Sequence, residues 1–124
     1  MTMLTYKDLQ KLYNVKTNKY GNKKVKDGNE TFDSVFEYEH WCELKLLEKA
    51  GVISRLNRQK RFVLIDKSKY GREVAYLSDF DYYNENGEYV VEDCKSIATK
   101  TPLFKLKKRL LAERYGIIIK EIMK

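Results

Sequence analysis

Asp79, Asp93 and Lys95 are the residues whose types and spacing could do chemistry. The dipeptide Asn86-Gly87 is a hairpin turn signal, flanked on both sides by β-branched and aromatic residues. A three-residue loop, Glu85-Asn86-Gly87, with Gly87 in the left-handed conformation, sets Asn84 opposite Glu88. The same register puts Asp79 opposite Asp93 and Leu77 opposite Lys95. Opposed residues share a sheet face, as do residues two apart on one strand, so two carboxylates and one ammonium converge. Like charges set opposite each other are unfavourable unless a cation lies between them. Hard oxygen ligands of this kind suit Mg²⁺, which keeps several waters of its own. The ordinary alternative is a pair of exposed edge carboxylates with Lys95 as their salt-bridge partner. Tyr76, Phe80, Val90 and Val91 predict instead a packed strand pair, where charges are costly.

The elements that must position this face follow from punctuation and periodicity. Residues 5–13 are consistent with a short helix, Thr5 and Asp8 having capping-box spacing. A basic, Gly-containing stretch runs from there to about residue 30. Ser34 to Glu37 repeats the capping-box spacing and begins a strong helix through Trp41, Leu44 and Leu47 to Ala50, with Gly51 at C′. Residues 59–66, 74–83 and 88–96 read as strands. Thr101-Pro102 opens a second helix that ends at Tyr115-Gly116, and the isoleucines from Ile117 to Ile122 make a last strand. Helix, three strands, helix, strand is an α/β arrangement with a central mixed sheet flanked by helices. The domain division is 1–30 for the N-terminal helix and basic arm, and 31–124 for the core, in one domain overall.

Composition limits the function. The 124 residues carry 25 Lys and Arg against 18 Asp and Glu, a net charge of +7. At 43% hydrophobic the chain is long and apolar enough for one core. Its apolar runs are too short to span a membrane, and Met1–Asn14 lacks the apolar core of a signal peptide, so a cytoplasmic protein is expected. Two cysteines make no disulfide framework, and a single histidine, His40, removes most options that need several, such as a His-rich zinc site. The positive charge is clustered. Lys16, Lys19, Lys23, Lys24 and Lys26 share a stretch without an acid; Arg55, Arg58, Lys60 and Arg61 form a second group, and Lys100, Lys105, Lys107, Lys108 and Arg109 a third. Such clusters mark a polyanion partner or a solvated face. On a helical wheel Phe104, Leu111 and Tyr115 share one side of the second helix, with Lys105, Lys108 and Arg109 opposite.

The segments Lys19-Tyr20-Gly21-Asn22-Lys23-Lys24-Val25, Thr31-Phe32-Asp33-Ser34-x-x-Glu37 and Leu44 to Gly51 resemble a family of small phage and prophage proteins of unknown function. So do Gln59-Lys60-Arg61-Phe62, Tyr76-x-x-Asp79-Phe80, Val90 to Lys95 and Phe104-Lys105-Leu106-Lys107. The likeness covers roughly residues 19–122. That family is similar to the PD-(D/E)xK nuclease superfamily, which includes Holliday-junction resolvases and type II restriction enzymes. The Tyr-x-x-Asp-Phe and Gln elements are also similar to the catalytic domain of a transposase endonuclease subunit in that superfamily. The superfamily's core is αβββαβ, the restriction-endonuclease-like order. Its signature of a helix Glu, a second-strand Asp and a third-strand (Asp/Glu)-x-Lys falls here on Glu37, Asp79, Asp93 and Lys95. Its usual Pro before the second-strand Asp is Ser78 in this chain.

The resemblance implies an Mg²⁺-dependent endodeoxyribonuclease, with Mn²⁺ able to substitute, acting on branched DNA such as a four-way junction as a homodimer, in the bacterial host of a phage. Asp79, Asp93, Glu37 and the Cys94 carbonyl are then the metal ligands, and Lys95 serves the attacking water or the developing oxyanion. Lys19, Lys23, Lys24, Gln59, Arg61, Lys105 and Lys108 are the expected DNA contacts. The helix ligand stays open at this point: with Val35, Cys42, Leu46 and Ala50 centring the apolar face, periodicity favours Glu39, and the resemblance favours Glu37. A DNA- or protein-binding module on the same fold, without cleavage, is the alternative.

Overall fold

The computed structural model describes residues 15–17, 23–96 and 99–124. The chain divides into two compact units, Met1–Leu47 and Glu48–Lys124. The expected helix at 5–13, with Lys19 and Tyr20, lies outside the described residues.

In the first unit part of the expected basic arm is sheet. Strands β1 (Val15–Thr17), β2 (Lys23–Asp27) and β3 (Glu30–Phe32) pair antiparallel in that order. Alternation explains how so basic a segment can pair. Val25 and Phe32 are cross-strand partners with no exposed surface, while Lys24 and Lys26 point outward. The β2–β3 turn is a two-residue loop with Gly28 first at φ +60°, the II′ geometry that matches strand twist.

Helix α1 (Val35–Lys49) starts at Ser34, whose Oγ accepts a 3.0 Å hydrogen bond from the Glu37 amide, as the capping box requires. Tyr38 meets the Phe32 ring edge-on at 4.9 Å and donates its hydroxyl to Asp27 at 2.9 Å. The buried stripe is Val35, Tyr38, Trp41 and Leu44, and Cys42 and Leu46 are only partly buried. The wheel centred on Cys42 and Leu46 is therefore rotated from the true one. Glu37 lies within the buried stripe at 5% exposure, and Glu39 does not.

In the second unit a mixed sheet runs β4 (Ser54–Arg58), β7 (Phe80–Tyr83), β8 (Tyr89–Lys95) and β9 (Lys120–Met123). Its first two pairings are antiparallel and the last is parallel. A separate ribbon pairs β5 (Arg61–Ile65) with β6 (Val74–Leu77). Helix α2 (Pro102–Tyr115) connects β8 to β9. Thr101 caps it by accepting from the Phe104 amide, and Gly116 ends it at φ +68°. Its Phe104 and Leu111 form a core with Phe62, Leu64, Tyr76, Val91 and Ile119.

Four sequence expectations need correction here. The strand expected over 59–66 is preceded by β4, whose polar sequence, bulge and left-handed Arg55 (φ +53°) hide it. The strand expected over 74–83 is broken at Ser78-Asp79, where the chain leaves β5 and joins β4 and β8. Leu77 consequently pairs with Arg61, and not with Lys95. The last strand begins at Lys120, so Ile117 to Ile119 precede it. Among the described residues no helix is long and apolar enough to cross a membrane.

Candidate active site

The β7–β8 hairpin has the register that its turn dictates. Phe80 pairs with Glu92 and Tyr83 with Tyr89, and Gly87 adopts φ +77°. The Asn84 side chain holds the loop by accepting from the amides of Asn86 (3.0 Å) and Glu88 (2.9 Å). One step beyond the Phe80–Glu92 pair stand Asp79 and Asp93, with Asp79 in the bend that joins β6 to β7.

That bend is tied from three sides. The Gln59 amide donates to the Asp79 carbonyl at 3.2 Å, and the Asp79 amide donates to the Glu92 carbonyl at 3.2 Å. The Asp79 carboxylate accepts from the Cys94 amide at 2.7 Å, a charge-assisted bond. Gln59 makes its contact from a left-handed backbone, φ +54°, which a side-chain-bearing residue adopts only at a cost. Gln59 is thus brought to Asp79 through its main chain, and its side chain is exposed.

Asp93 is buried on the sheet face that α2 covers. Its Oδ2 accepts from the Tyr76 hydroxyl at 2.6 Å, and its Oδ1 lies 3.0 Å from the Lys95 ammonium. Lys95 also sits over the Phe104 ring, 4.1 Å from its centroid. The Tyr76 hydroxyl is pushed far above the ordinary phenol range, by burial first and then by the Asp93 charge. It therefore remains a proton donor to Asp93 at any ordinary pH. Beside Asp93 across the parallel β8–β9 pairing is Glu121, whose carboxylate is held by Lys108 at 2.6 Å and Lys100 at 3.2 Å. The hydrogen bond from Lys108 is the main cause that keeps Glu121 below the ordinary glutamate range.

The opposite face of β8 carries Glu92, also buried, which accepts a hydrogen bond from Tyr82 and has Lys120 at 3.9 Å. Asp93 and Glu92 are therefore separated by the sheet, as their odd and even positions require. Among the described residues no group of three or more His, Cys, Asp or Glu side chains is arranged to hold a metal ion.

Residues 17–123 match the family model described as "Protein of unknown function (DUF1064)". The chain belongs to the DUF1064 family. No curated protein and no solved structure matches it.

In this DUF1064 chain the second unit brings Asp79, Asp93 and Lys95 together, with Gln59 at their edge. Glu37 lies buried in the first unit, where its amide donates to the capping Ser34 Oγ. Lys23 lies in β2 by its backbone, and Lys24 is exposed there. Arg61 pairs with Glu73, the residue just before β6. Lys105 is exposed on α2. Lys108 is not on the solvent face opposite the apolar side, as the wheel had it: it turns inward to Glu121, while Leu103 and Leu106 are more than half exposed. Reasoning from sequence gave no role to Tyr76 or Glu121. Tyr76 lies three residues before Asp79, on the strand preceding the bend, and alternation hinted only that it is packed. Glu121 became visible only once the β8–β9 register was known.

Proposed function

We propose that this protein is a divalent-metal-dependent DNA endonuclease with a restriction-endonuclease-like core, hydrolysing phosphodiester bonds in branched DNA. The observation that carries the reading is that Asp79, bonded to the Cys94 amide, and Asp93, paired with Lys95, stand one step beyond the Phe80–Glu92 pair at the sheet corner. With the β5–β6 ribbon set aside, the order α1, β4, β7, β8, α2, β9 is a helix, three strands, a helix and a strand, which supports such a core.

The donor set fits a hard cation. Two carboxylates at the end of a packed sheet offer oxygen ligands only, and Mg²⁺ completes its shell with water and substrate phosphate. Asp79 and Asp93 would hold the ion, with the Cys94 carbonyl as the further expected ligand. When bound, Mg²⁺ activates the attacking water and offsets charge developing on the phosphate. Lys95 does the rest from its own position. Its ammonium, confined between Asp93 and the Phe104 ring, is set to stabilise the pentacovalent oxyanion or to orient the water. Tyr76 fixes the Asp93 carboxylate from the other side. The exposed lysines of β2 and α2 would hold the DNA backbone, contacts that position without reading sequence. Cutting two strands symmetrically needs two such sites, hence a homodimer.

The test is cleavage of supercoiled plasmid and of a synthetic four-way junction, with EDTA, Mg²⁺ or Mn²⁺. Wild type should cut only with metal. Asp79→Asn and Asp93→Asn should abolish cutting and leave binding equal or tighter, because each removes a charge that repels phosphate. Glu92→Gln should keep cutting, since Glu92 faces the other side of the sheet. A wild-type protein inert on both substrates with either metal would sink the proposal. So would a Glu92→Gln variant that is dead beside an active Asp93→Asn.

A further inference from the structure

The proposed chemistry gives no role to Lys100 or Glu121, which gather around Lys108. Glu121 is the register partner of Asp93 on β9, so its side chain projects on the same face one strand away. Its two carboxylate oxygens are divided between two lysines from different places. Oε1 faces Lys100, in the segment leading into α2, at 3.2 Å, and Oε2 faces Lys108, on α2 itself, at 2.6 Å. Glu121 is mostly buried, its side chain 15% exposed, whereas the two lysines keep 38% and 35% of theirs in solvent. One carboxylate shared by two partly exposed lysine side chains leaves a net positive charge on the cluster. Phe104, one turn before Lys108 on α2, also lies against Lys95. The cluster is therefore continuous with the candidate active site.

A surface ion pair contributes little to stability, and holding two long lysines on one nearly buried acid costs side-chain entropy. An advantage would come from a ligand that completes the cluster with negative charge. We propose that Lys100 and Lys108, held in place by Glu121, form a phosphate subsite that binds the backbone phosphate next to the scissile one, Glu121 acting as a positioning residue. This rests on the nuclease reading for what lies beside the subsite, but the binding it describes needs no cleavage. Phosphate is favoured over a carboxylate ligand because, on the nuclease reading, the anion lying beside the scissile bond is the next phosphate of the DNA backbone.

The experiment uses the full chain and a fluorescently labelled duplex. Binding is measured in EDTA over a series of salt concentrations, and single-turnover cleavage at saturating protein in Mg²⁺. The double variant Lys100→Ala/Lys108→Ala should lower the log–log salt slope by about 1.8, two contacts at about 0.9 each. Lys100→Arg/Lys108→Arg should restore the slope. Glu121→Gln should bind DNA as tightly as wild type or more so, with the slope kept, yet cleave about tenfold more slowly because the lysines are no longer held. If the alanine pair fails to fold by circular dichroism, Lys100→Gln/Lys108→Gln takes its place. An unchanged slope in a folded double variant overturns the subsite. Unchanged binding and cleavage in Glu121→Gln, with only a lower melting temperature, overturns the positioning role. Wild type that never cleaves while the double variant loses slope would refute the nuclease reading and leave the subsite standing. Cleaving wild type with no loss of slope would do the reverse.

Discussion

Removing a single hydroxyl, by Tyr76→Phe, tests the architecture around Asp93 most directly. The Tyr76 hydroxyl donates at 2.6 Å to a carboxylate whose side chain is 5% exposed, so water has little room to replace it. A hydrogen bond to a charged, buried acceptor contributes about 1.5–3 kcal/mol. Lys95 remains on the other oxygen of Asp93 and offsets part of the loss, which places the expected cost near 2 kcal/mol. The ring itself packs beside Phe62, with centroids 6.3 Å apart, and phenylalanine keeps that contact. With a urea dependence of about 1.5 kcal/mol per M, the midpoint should fall by about 1.3 M at neutral pH. The decisive comparison is a double-mutant cycle. In an Asp93→Ala background the same Tyr76→Phe change should cost under about 0.5 kcal/mol, because the acceptor is gone. A cost below about 0.5 kcal/mol in the wild-type background, or an equal cost in both, would refute the bond as the source of the effect.

Replacing Lys19, Lys23 and Lys24 together with alanine should flatten the salt dependence of DNA binding by about 0.9 per lost phosphate contact, read by anisotropy; an unchanged slope would exclude these lysines from the interface. Acid unfolding should report Glu121. Its folded-state carboxyl lies below the ordinary value of 4.5, chiefly through the Lys108 hydrogen bond, so its stabilisation is complete above that value and is lost as pH falls through the lower, folded-state value. The stability gap between wild type and Glu121→Gln should therefore shrink below about pH 4.5 and stay constant from there to neutrality.

Local signals in the sequence resolved wherever they are sufficient in themselves. Asn84, Asn86 and Gly87 determine a loop and hence a register, and the register alone sends Asp93 and Glu92 to opposite faces. Thr101, Pro102 and Gly116 bound α2 for equally local reasons. What escaped the reading depends on partners distant in the chain. No Gly or Pro marks the break at Ser78-Asp79; it arises because β6 finds β5 while β7 finds β4 and β8. Lys108 counts as solvent-facing on any wheel until Glu121, thirteen residues on, is brought under it by the parallel pairing of β9. Glu37 is a similar case, since the buried side of α1 is set by Phe32 and the strands before it as well as by the helix's own periodicity.

The three bonds around Asp79 separate what holds the corner from what the corner could do. Two of them use only its backbone, one to Gln59 and one to Glu92, and would survive any replacement that keeps the conformation. The third uses the side-chain oxygen that accepts from the Cys94 amide. Asparagine keeps a carbonyl oxygen able to accept that bond and removes only the charge, whereas alanine leaves the amide without this partner. Loss of activity in Asp79→Asn with an unchanged melting temperature would thus locate the role of Asp79 in its charge. Asp79→Ala confounds charge with the tie between β8 and the bend. The same reasoning does not extend to Asp93, where Lys95 leans on the charge itself at 3.0 Å. There asparagine strands a nearly buried ammonium, so Asp93→Asn should lose stability as well as activity, and the contrast between the two variants distinguishes a carboxylate fixed by the backbone from one fixed by its ion pair.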